Sequence, residues 1–395
     1  MGLALAGGGP VGAIYELGAL RAIDESITGL RLHDLDVYVG VSAGGVIAAS
    51  LANHISSAEI CRIFMGHSGA EYAFDPEKLL KPAYREYLSR AATLPGIITD
   101  SLINIVRNPT QASASKFMSA LGKAIPSGIF DNHSLHDFIT RVFEATGGTN
   151  DFRELKRKLY IVAVELDNGA AVRFGAPGLD HVPISRAVQA SAALPGLYPP
   201  VKIEGQFYVD GALRRTLHAS AALDEGVDLL LAVNPLVPFD AAINDDERHL
   251  PARKLIEGGL PLILSQTFRA LIQSRMNVGF RGYQKSHPKA DLLLAEPNRQ
   301  DEQMFFANIF SFASRKALCN HAFQGTRKDL LSQADHVDKV LSRHGMALNR
   351  ERLADTDRTL EDSLNESFHG HSKISRRLNR ALEDLEWQLR ERTTP

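Results

Sequence analysis

Two short motifs, each placed where a predicted strand ends, hold the residues best suited to chemistry. The pentapeptide Gly40-Val41-Ser42-Ala43-Gly44 is a GxSxG sequence between a predicted strand and a predicted helix. Its small residues permit the sharp turn that lifts a serine hydroxyl clear of a sheet. The second motif, Asp210-Gly211-Ala212, follows another predicted strand. An aspartate with glycine behind it has room to point into the same opening as Ser42, and a serine nucleophile needs a base.

A glycine-rich loop precedes both motifs along the chain. Gly7-Gly8-Gly9-Pro10-Val11-Gly12 lies between the apolar run at residues 3–6 and a helical pattern. Glycine permits positive φ and lets backbone N–H groups approach a ligand closely. The N-terminus of the following helix favours negative charge. This loop therefore suits either a phosphate or the oxyanion of an acyl-transfer intermediate.

The same loop matches the GxGxxG fingerprint of dinucleotide-binding proteins, which leaves an NAD(P)-dependent oxidoreductase as an alternative. That fingerprint requires an acidic residue at the end of the second strand. Asp34 and Asp36 have about the right spacing but precede the second strand, and Ser42 follows it. A phosphate-binding P-loop fits less well, because no Gly-Lys-Ser/Thr follows the glycines.

Histidines provide the other candidate bases and metal ligands. His181 and His218 follow the serine, as the histidine of an α/β-hydrolase does, but that fold places several strands before its serine and here there is one. The pairs His133-x-x-His136 and His369-Gly-His371 lack further ligands nearby. We therefore expect neither a metal ion nor a cofactor.

Alternating strand and helix patterns position these motifs. The run 36–41 predicts a second strand and Ala43–Asn53 a helix, which together with the first strand opens a parallel α/β sheet. Strand-like sequence returns over 159–175, where Asp167-Asn168-Gly169 indicates a hairpin turn. The remaining elements are predicted as a helix at Ile184–Ala193, a strand at 201–209, a helix at Leu217–Asp224 and a strand at Asp228–Val233.

Beyond about residue 240 the pattern becomes mainly helical, around 255–280 and 303–344, with one strand-like run at Ala290–Pro297. The last residues, 349–395, contain nine basic and ten acidic side chains and carry an apolar seam. The seam residues are Leu378, Leu382, Leu385 and Leu389. We expect a catalytic-type domain at 1–236, a helical extension at 237–347 and a charged amphipathic tail at 348–395, whose helices offer a surface for a homo-oligomer.

Composition excludes several classes of protein. The chain has 395 residues, and 44 Lys and Arg against 46 Asp and Glu give a net charge of −2, so no basic field holds nucleic acid. Cys61 and Cys319 cannot build a disulfide framework. The start, MGLALAGGGP, lacks the regions of a signal peptide, and the most apolar run, 227–237, is too short to span a bilayer. These features predict a soluble cytoplasmic protein.

One apolar stripe with few charges, Leu94–Pro109, has two interpretations. It is either an ordinary core helix or a lid that touches a membrane surface, since amphipathic segments lie at interfaces. The second interpretation would make the protein peripheral at a membrane.

The order of the motifs resembles that of the patatin-like lipid acyl hydrolases. The resemblance extends from Gly2 to about Pro235 and includes Ala190–Gly196, with Pro199-Pro200 after it, before the Asp210-Gly211-Ala212 motif. It implies a three-layer α/β/α fold with a mostly parallel central sheet.

The resemblance also implies a Ser–Asp dyad without histidine or metal. By position, Ser42 is the nucleophile, Asp210 the base and Gly7–Gly9 the oxyanion hole; Pro10 has no N–H, so Val11 is a further donor. The implied function is hydrolysis of lipid acyl esters, of phospholipase A or lysophospholipase type, through an acyl-enzyme. Position 11 is often Lys or Arg in such enzymes, and Val11 leaves a catalytically weak scaffold as the alternative.

Overall fold

The computed structural model describes residues 1–66, 73–84, 86–92, 96, 99, 126–240, 256–305 and 312–367. One eight-stranded sheet organises this part of the chain. Its strands are β1 (Gly2–Leu5), β3 (Val37–Val41), β4 (Lys158–Glu165), β5 (Ala171–Phe174), β6 (Val201–Ile203), β7 (Gln206–Asp210), β8 (Leu229–Val233) and β9 (Asp291–Ala295). A two-stranded sheet pairs β2 (Ile27–Thr28) with β10 (Ala347–Leu348).

The helices of the described residues follow the strands in the order that the sequence predicts. The longer helices are α1 (Gly9–Ser26), α2 (Ala43–Ala52), α3 (Ser57–Met65), α4 (His133–Thr146), α5 (Ile184–Ser191), α7 (Gly259–Ser286), α9 (Phe312–Ser332) and α10 (Ala334–Ser342). Shorter ones are α6 (Ser220–Leu223), α8 (Glu302–Phe305), α11 (Arg350–Ala354) and α12 (Leu360–Glu366). Short 3₁₀ turns occur at Pro76–Leu80, Phe152–Glu154 and Gly211–Leu213. Among the described residues, no helix has both the length and the apolar character needed to cross a bilayer.

The strand order in the large sheet is β6-β7-β4-β3-β1-β8-β9, with β5 paired to β4. Strands β4, β3, β1, β8 and β9 run parallel, whereas β5, β6 and β7 join by antiparallel pairing. Every residue of β1, β3 and β8 is buried, as expected for parallel strands that are covered on both faces. The predicted mostly parallel α/β/α architecture is therefore confirmed.

Two apolar layers cover the sheet, because successive strand residues point to opposite faces. On one face, residues such as Leu3, Tyr38 and Ile161 pack against α1, α2, α5 and α9. On the other face, Ala4, Val39 and Val162 pack against the segment after β7 and against α7. The predicted extension at 237–347 therefore supplies α7 to one layer and α9 to the other, and it also contributes strand β9 to the sheet.

The register of three neighbouring strands brings the two chemical motifs to the same level. Val41, the last residue of β3, pairs with Val162 of β4. The next residue of β4, Ala163, pairs with Asp210 at the end of β7. Ser42 and Asp210 therefore leave the sheet at the same height, on either side of β4.

The predicted single strand at 201–209 is wrong in one respect, since it is a hairpin of β6 and β7. Glu204 and Gly205 form its turn with φ of 50° and 92°. Positive φ at both central residues is typical of a tight hairpin turn. Alternating sequence on both sides concealed the turn, because Glu is seldom found with positive φ.

The first part of the predicted tail folds back on the sheet domain. β10 pairs with β2, and helices α11 and α12 pack against α1. The guanidinium of Arg358 binds the fully buried carboxylate of Glu25 on α1, with N–O distances of 2.8 to 3.1 Å. The leucine seam at 378–389, His369, His371 and nearly all of the stripe Leu94–Pro109 lie outside the described residues, and the predictions made for them stay predictions.

Candidate functional site

Ser42 occupies the turn between β3 and α2 in a strained backbone conformation. Its φ of 52° and ψ of −120° are rarely adopted by a residue with a side chain. Two hydrogen bonds hold this turn: Ser42 N–H donates to Ser191 Oγ at 2.8 Å, and Gly45 N–H donates to the Ser42 carbonyl at 3.0 Å. The serine hydroxyl makes no capping bond to α2, so it is available to other groups.

The glycines that flank Ser42 are required by close backbone packing. A Cβ on Gly40 would lie 2.5 Å from the Gly45 Cα, and one on Gly44 would lie 2.4 Å from the Ala6 carbonyl oxygen. Both distances are shorter than any non-bonded contact of a real Cβ atom, and the atoms that would clash belong to the backbone. The GxSxG pattern is therefore dictated by how tightly α2 approaches β1 and β3.

Asp210 lies beside Ser42 at the end of β7 and is 4% exposed. Its carboxylate accepts a hydrogen bond of 2.9 Å from the Ala212 N–H, and the Ser42 hydroxyl lies close enough to lower its pKa. A Cβ on the next residue, Gly211, would lie 2.2 Å from the Val162 carbonyl oxygen. Only glycine fits there, which explains why the aspartate is followed by glycine.

Burial changes the acidity of this carboxyl group. Loss of water raises the pKa of Asp210 to about 6, while the hydrogen bond from the Ala212 N–H and the nearby Ser42 hydroxyl act in the opposite direction. A carboxylate with such a pKa accepts protons far better near neutral pH than an exposed aspartate does. The environment therefore makes Asp210 a usable general base.

The glycine-rich loop packs directly on this pair. A Cβ on Gly7 would lie 3.1 Å from the Ser42 Cβ and 3.2 Å from the Ala212 Cβ. The elbow is joined to the loop by a hydrogen bond of 3.2 Å from Gly44 N–H to the Ala6 carbonyl. On its other side, Gly8 contacts Pro235 so closely that a Cβ would lie 2.7 Å from the proline Cγ. The loop is thus held between Ser42 and Pro235.

Helix α1 starts inside this loop and presents unpaired backbone donors there. The first helical hydrogen bond runs from Gly12 N–H to the Gly8 carbonyl at 3.0 Å. The N–H groups that precede it, including those of Gly9 and Val11, have no acceptor within the helix, and Pro10 carries no N–H. Gly9 has a φ of 59°, a conformation that glycine adopts without strain. These donors, with the helix dipole, form a site for negative charge beside Ser42.

The two candidate histidines form hydrogen bonds with groups other than Ser42 and Asp210. His181 is on the surface, where it binds Glu204 at 2.6 Å. His218 is buried next to the motif, with its Nε2 3.2 Å from the Gly211 carbonyl oxygen, and burial lowers its pKa to about 4. His218 therefore stays neutral and supports the Gly211 turn. Among the described residues, no group of His, Cys, Asp and Glu side chains is arranged to hold a metal ion.

Two supporting residues were not identified from the sequence. Ser191 is fully buried, and its hydroxyl links the Ser42 N–H to the Val162 carbonyl. Pro235 covers Gly8 and Gly12 from the end of β8. The helix that ends at Ser191 contains other polar residues, so no local signal in the sequence indicated the first role. The second becomes visible only when the order of β8 in the sheet is known.

Comparison with known proteins places this arrangement in a family. The protein resembles VipD from Legionella pneumophila (14% identity, TM-score 0.35, covering 90% of this chain and 80% of VipD). It also resembles the type III effector ExoU (17% identity, TM-score 0.35), of which it spans about half, 53%, while 84% of this chain is covered. ExoU from Pseudomonas aeruginosa, crystallised with SpcU, gives 16% identity and a TM-score of 0.29, over 71% of this chain and 52% of ExoU. Family membership rests on a separate match, because the family model for patatin-like phospholipase matches residues 3–223. The chain belongs to the patatin-like phospholipase family.

Proposed function

We propose that this protein is a serine hydrolase of lipid acyl esters, of phospholipase A or lysophospholipase type, in which Ser42 is the nucleophile and Asp210 the general base. The observation that carries the proposal is the placement of the Ser42 hydroxyl beside the buried Asp210 carboxyl group. Membership of a family of lipid hydrolases supports the same reaction class. The strained backbone at Ser42 also supports it, since such strain clusters at active sites.

The first half of the reaction forms an acyl-enzyme. The Ser42 hydroxyl gives its proton to Asp210 while its oxygen bonds to the ester carbonyl carbon. The carbonyl π electrons move to oxygen, which becomes the oxyanion of a tetrahedral intermediate. When this intermediate collapses, the bond to the alkoxide breaks, and the alkoxide takes the proton from Asp210. The alcohol leaves, and the acyl group stays on Ser42.

The second half releases the acyl group with water. Asp210 removes a proton from a water molecule while the water oxygen bonds to the acyl carbon. Collapse of the second oxyanion breaks the bond to Ser42, whose oxygen takes back the proton from Asp210. The products are a fatty acid and the free enzyme, so no external redox or metal chemistry is needed for the atoms and charges to balance.

The glycine loop is proposed to stabilise the oxyanion in both halves. The N–H groups of Gly9 and Val11 are free of helical acceptors, and those of Gly7 and Gly8 belong to the same turn beside Ser42. Loss of one such donor costs an acyl-transfer enzyme about 10²–10³ in rate. Val11 supplies its N–H without the positive side chain common in the family, so the field on the oxyanion comes from backbone dipoles.

Apolar surface near the dyad favours lipid esters over small polar ones. The Asp210 N–H donates to the Ala193 carbonyl at 3.0 Å, and the segment after Ala193 pairs with residues 128–130. Ile129 in that segment is half exposed. This exposed apolar side chain, on a segment linked to Asp210 through the residues after Ala193, is proposed to contact the acyl chain.

Hydrolysis of a lipid panel with mass detection of the released fatty acid tests this function. The Ser42→Ala variant should lose release of fatty acid by at least about 10³-fold, as removal of a serine nucleophile does. Ser50→Ala is the matched control, because Ser50 is a buried serine on the same helix that binds only the Val46 carbonyl. If Ser42→Ala retains the wild-type rate, the proposal is wrong.

A further inference from the structure

Helix α7 carries an exposed apolar face that none of the described elements covers. Leu264, Leu271 and Val278 are 43%, 53% and 66% exposed, and they are seven residues apart. Seven residues are close to two helical turns, so these side chains lie along one line of the helix. Ile263 and Phe268 widen the line at its N-terminal end, with 44% and 37% exposure. Five large apolar side chains on one helix face form a continuous patch, unlike scattered surface leucines.

Three other side chains of α7 anchor the helix beside the candidate site. Arg275 donates to the Leu213 carbonyl at 2.9 Å, directly after the Asp210-Gly211-Ala212 motif. Arg269 lies over the Phe305 ring at 5.0 Å and donates to the Val237 carbonyl, just beyond Pro235. Met276 is buried in the layer under the sheet. These contacts hold α7, and with it the exposed apolar face, against the chain segments that follow the Asp210-Gly211-Ala212 motif and Pro235.

The charged side chains (Asp, Glu, Lys and Arg) in and just after α7 are all basic. No Asp or Glu occurs between Glu257 and Asp291, whereas the same stretch contains five basic residues. Arg269 and Arg275 make the internal contacts described above, and four of the five are exposed: Arg275, Arg281, Lys285 and Lys289. The chain as a whole has a net charge of −2, so this concentration of positive charge is local.

We propose that the exposed face of α7 is the docking surface for an anionic lipid bilayer. A helix with apolar side chains on one face and basic residues along it lies in the membrane interface, where cations face the headgroups. Each Lys or Arg near an anionic surface strengthens binding about fivefold. This inference rests on the proposed function, because a surface anchored beside the dyad would place ester bonds of the bilayer next to Ser42.

Co-sedimentation with vesicles tests the docking surface in full-length protein. Vesicles of phosphatidylcholine with about one third phosphatidylserine are compared with vesicles of phosphatidylcholine alone. The Ser42→Ala background is used for binding, so that hydrolysis does not consume the lipid. We expect binding to the anionic vesicles only, and weaker binding as salt is raised from about 50 mM to about 500 mM.

Two sets of α7 variants separate the apolar and the charged contributions. Leu271→Glu/Val278→Glu should weaken binding to anionic vesicles by at least about tenfold, since two apolar side chains no longer enter the interface. Lys285→Gln/Lys289→Gln should weaken it by about 25-fold, about fivefold for each lysine, and reduce the salt dependence. Leu331→Glu is the matched control, because Leu331 is an exposed leucine on α9, and it should bind within about twofold of the parent.

The outcomes distinguish this surface from the proposed active site. Hydrolysis of a soluble short-chain ester by the α7 variants, made with Ser42 intact, should stay at the wild-type rate, which also shows that they fold. Unchanged vesicle binding by both α7 variants, or no binding of the parent, overturns the docking surface. Light scattering that shows a dimer lost in Leu271→Glu/Val278→Glu, without vesicle binding, overturns it in favour of a second copy of the chain. Vesicle binding without ester hydrolysis by the wild type supports the surface and contradicts the hydrolase.

Discussion

The Ser42 hydroxyl lies beside the Asp210 carboxyl group across strand β4, in a position from which water is nearly excluded. Neither residue is near the other in sequence, and the contact depends on the register of β3, β4 and β7. Burial is the main cause of the raised pKa of Asp210. The fold that places this carboxyl group beside Ser42 therefore also sets its acidity.

The pH dependence of ester hydrolysis should follow the ionisation of Asp210. Only the deprotonated carboxylate accepts a proton from Ser42, so kcat/KM should rise with pH and reach half its plateau near pH 6. An aspartate with the ordinary pKa of about 3.9 would place the midpoint two pH units lower. Initial rates on a soluble ester between pH 4 and pH 9 provide the profile. A flat profile across pH 5 to 7 would contradict the assignment of Asp210 as base.

The same group should make the protein less stable as pH rises. The folded-state pKa of Asp210 is above its unfolded value, so the folded state binds the proton more tightly and loses stability between about pH 4 and pH 6. Asp210→Asn removes this ionisation. We expect the variant to be more stable than the wild type by about 3 kcal/mol at pH 8, an order-of-magnitude figure, and nearly equal to it at pH 4. Urea unfolding at the two pH values measures the difference, and equal stability at both would disprove the burial argument.

Adjacent glycines on α2 should respond in opposite ways to alanine. In Gly44→Ala the new Cβ would meet the Ala6 carbonyl oxygen at 2.4 Å, so the elbow must shift; we expect a loss of several kcal/mol, about 3, and of activity. In Gly45→Ala the nearest atom would be 3.6 Å away, an ordinary contact. Alanine there should add about 0.5–1 kcal/mol of stability through helix propensity. Thermal unfolding of both variants checks the contrast, which similar shifts would contradict.

The ion pair between Glu25 and Arg358 should hold the C-terminal segment on α1. Arg358→Met removes a bidentate partner from a fully buried carboxylate and should cost about 3 kcal/mol. It should also open residues after 347 to limited proteolysis. Arg350→Met is the matched control, since Arg350 pairs with the exposed Asp335, and its unfolding midpoint should hardly change. A midpoint for Arg358→Met equal to that of the control would mean that the segment is held by other contacts.

The sequence predicted the sheet and its motifs because their signals are local. Short patterns of small residues reveal the turns at Gly40, Gly44 and Gly211, although only Gly40 is required by a clash within its own turn. The atoms that exclude a side chain at Gly44 and Gly211 belong to Ala6 and Val162, which are distant in sequence. The fully buried parallel strands are continuous apolar runs, which are equally visible.

Features that depend on long-range packing could not be predicted. The pairing of β10 with β2 joins residues at opposite ends of the described chain, and no local pattern specifies it. The roles of Ser191 and Pro235 depend on strand order in the same way. The exposed face of α7 was also missed, since an apolar helix pattern alone does not show which side is buried.

Covalent labelling with a fluorophosphonate tests the dyad most directly. Intact-mass and peptide analysis of the wild type should show one adduct on Ser42, because Asp210 activates that hydroxyl. Ser42→Ala should not be labelled, and Asp210→Asn should be labelled at least about 10²-fold more slowly, since its amide cannot accept the serine proton. Labelling of Asp210→Asn at the wild-type rate, or an adduct on another residue, would contradict the assignment of these two side chains as nucleophile and base.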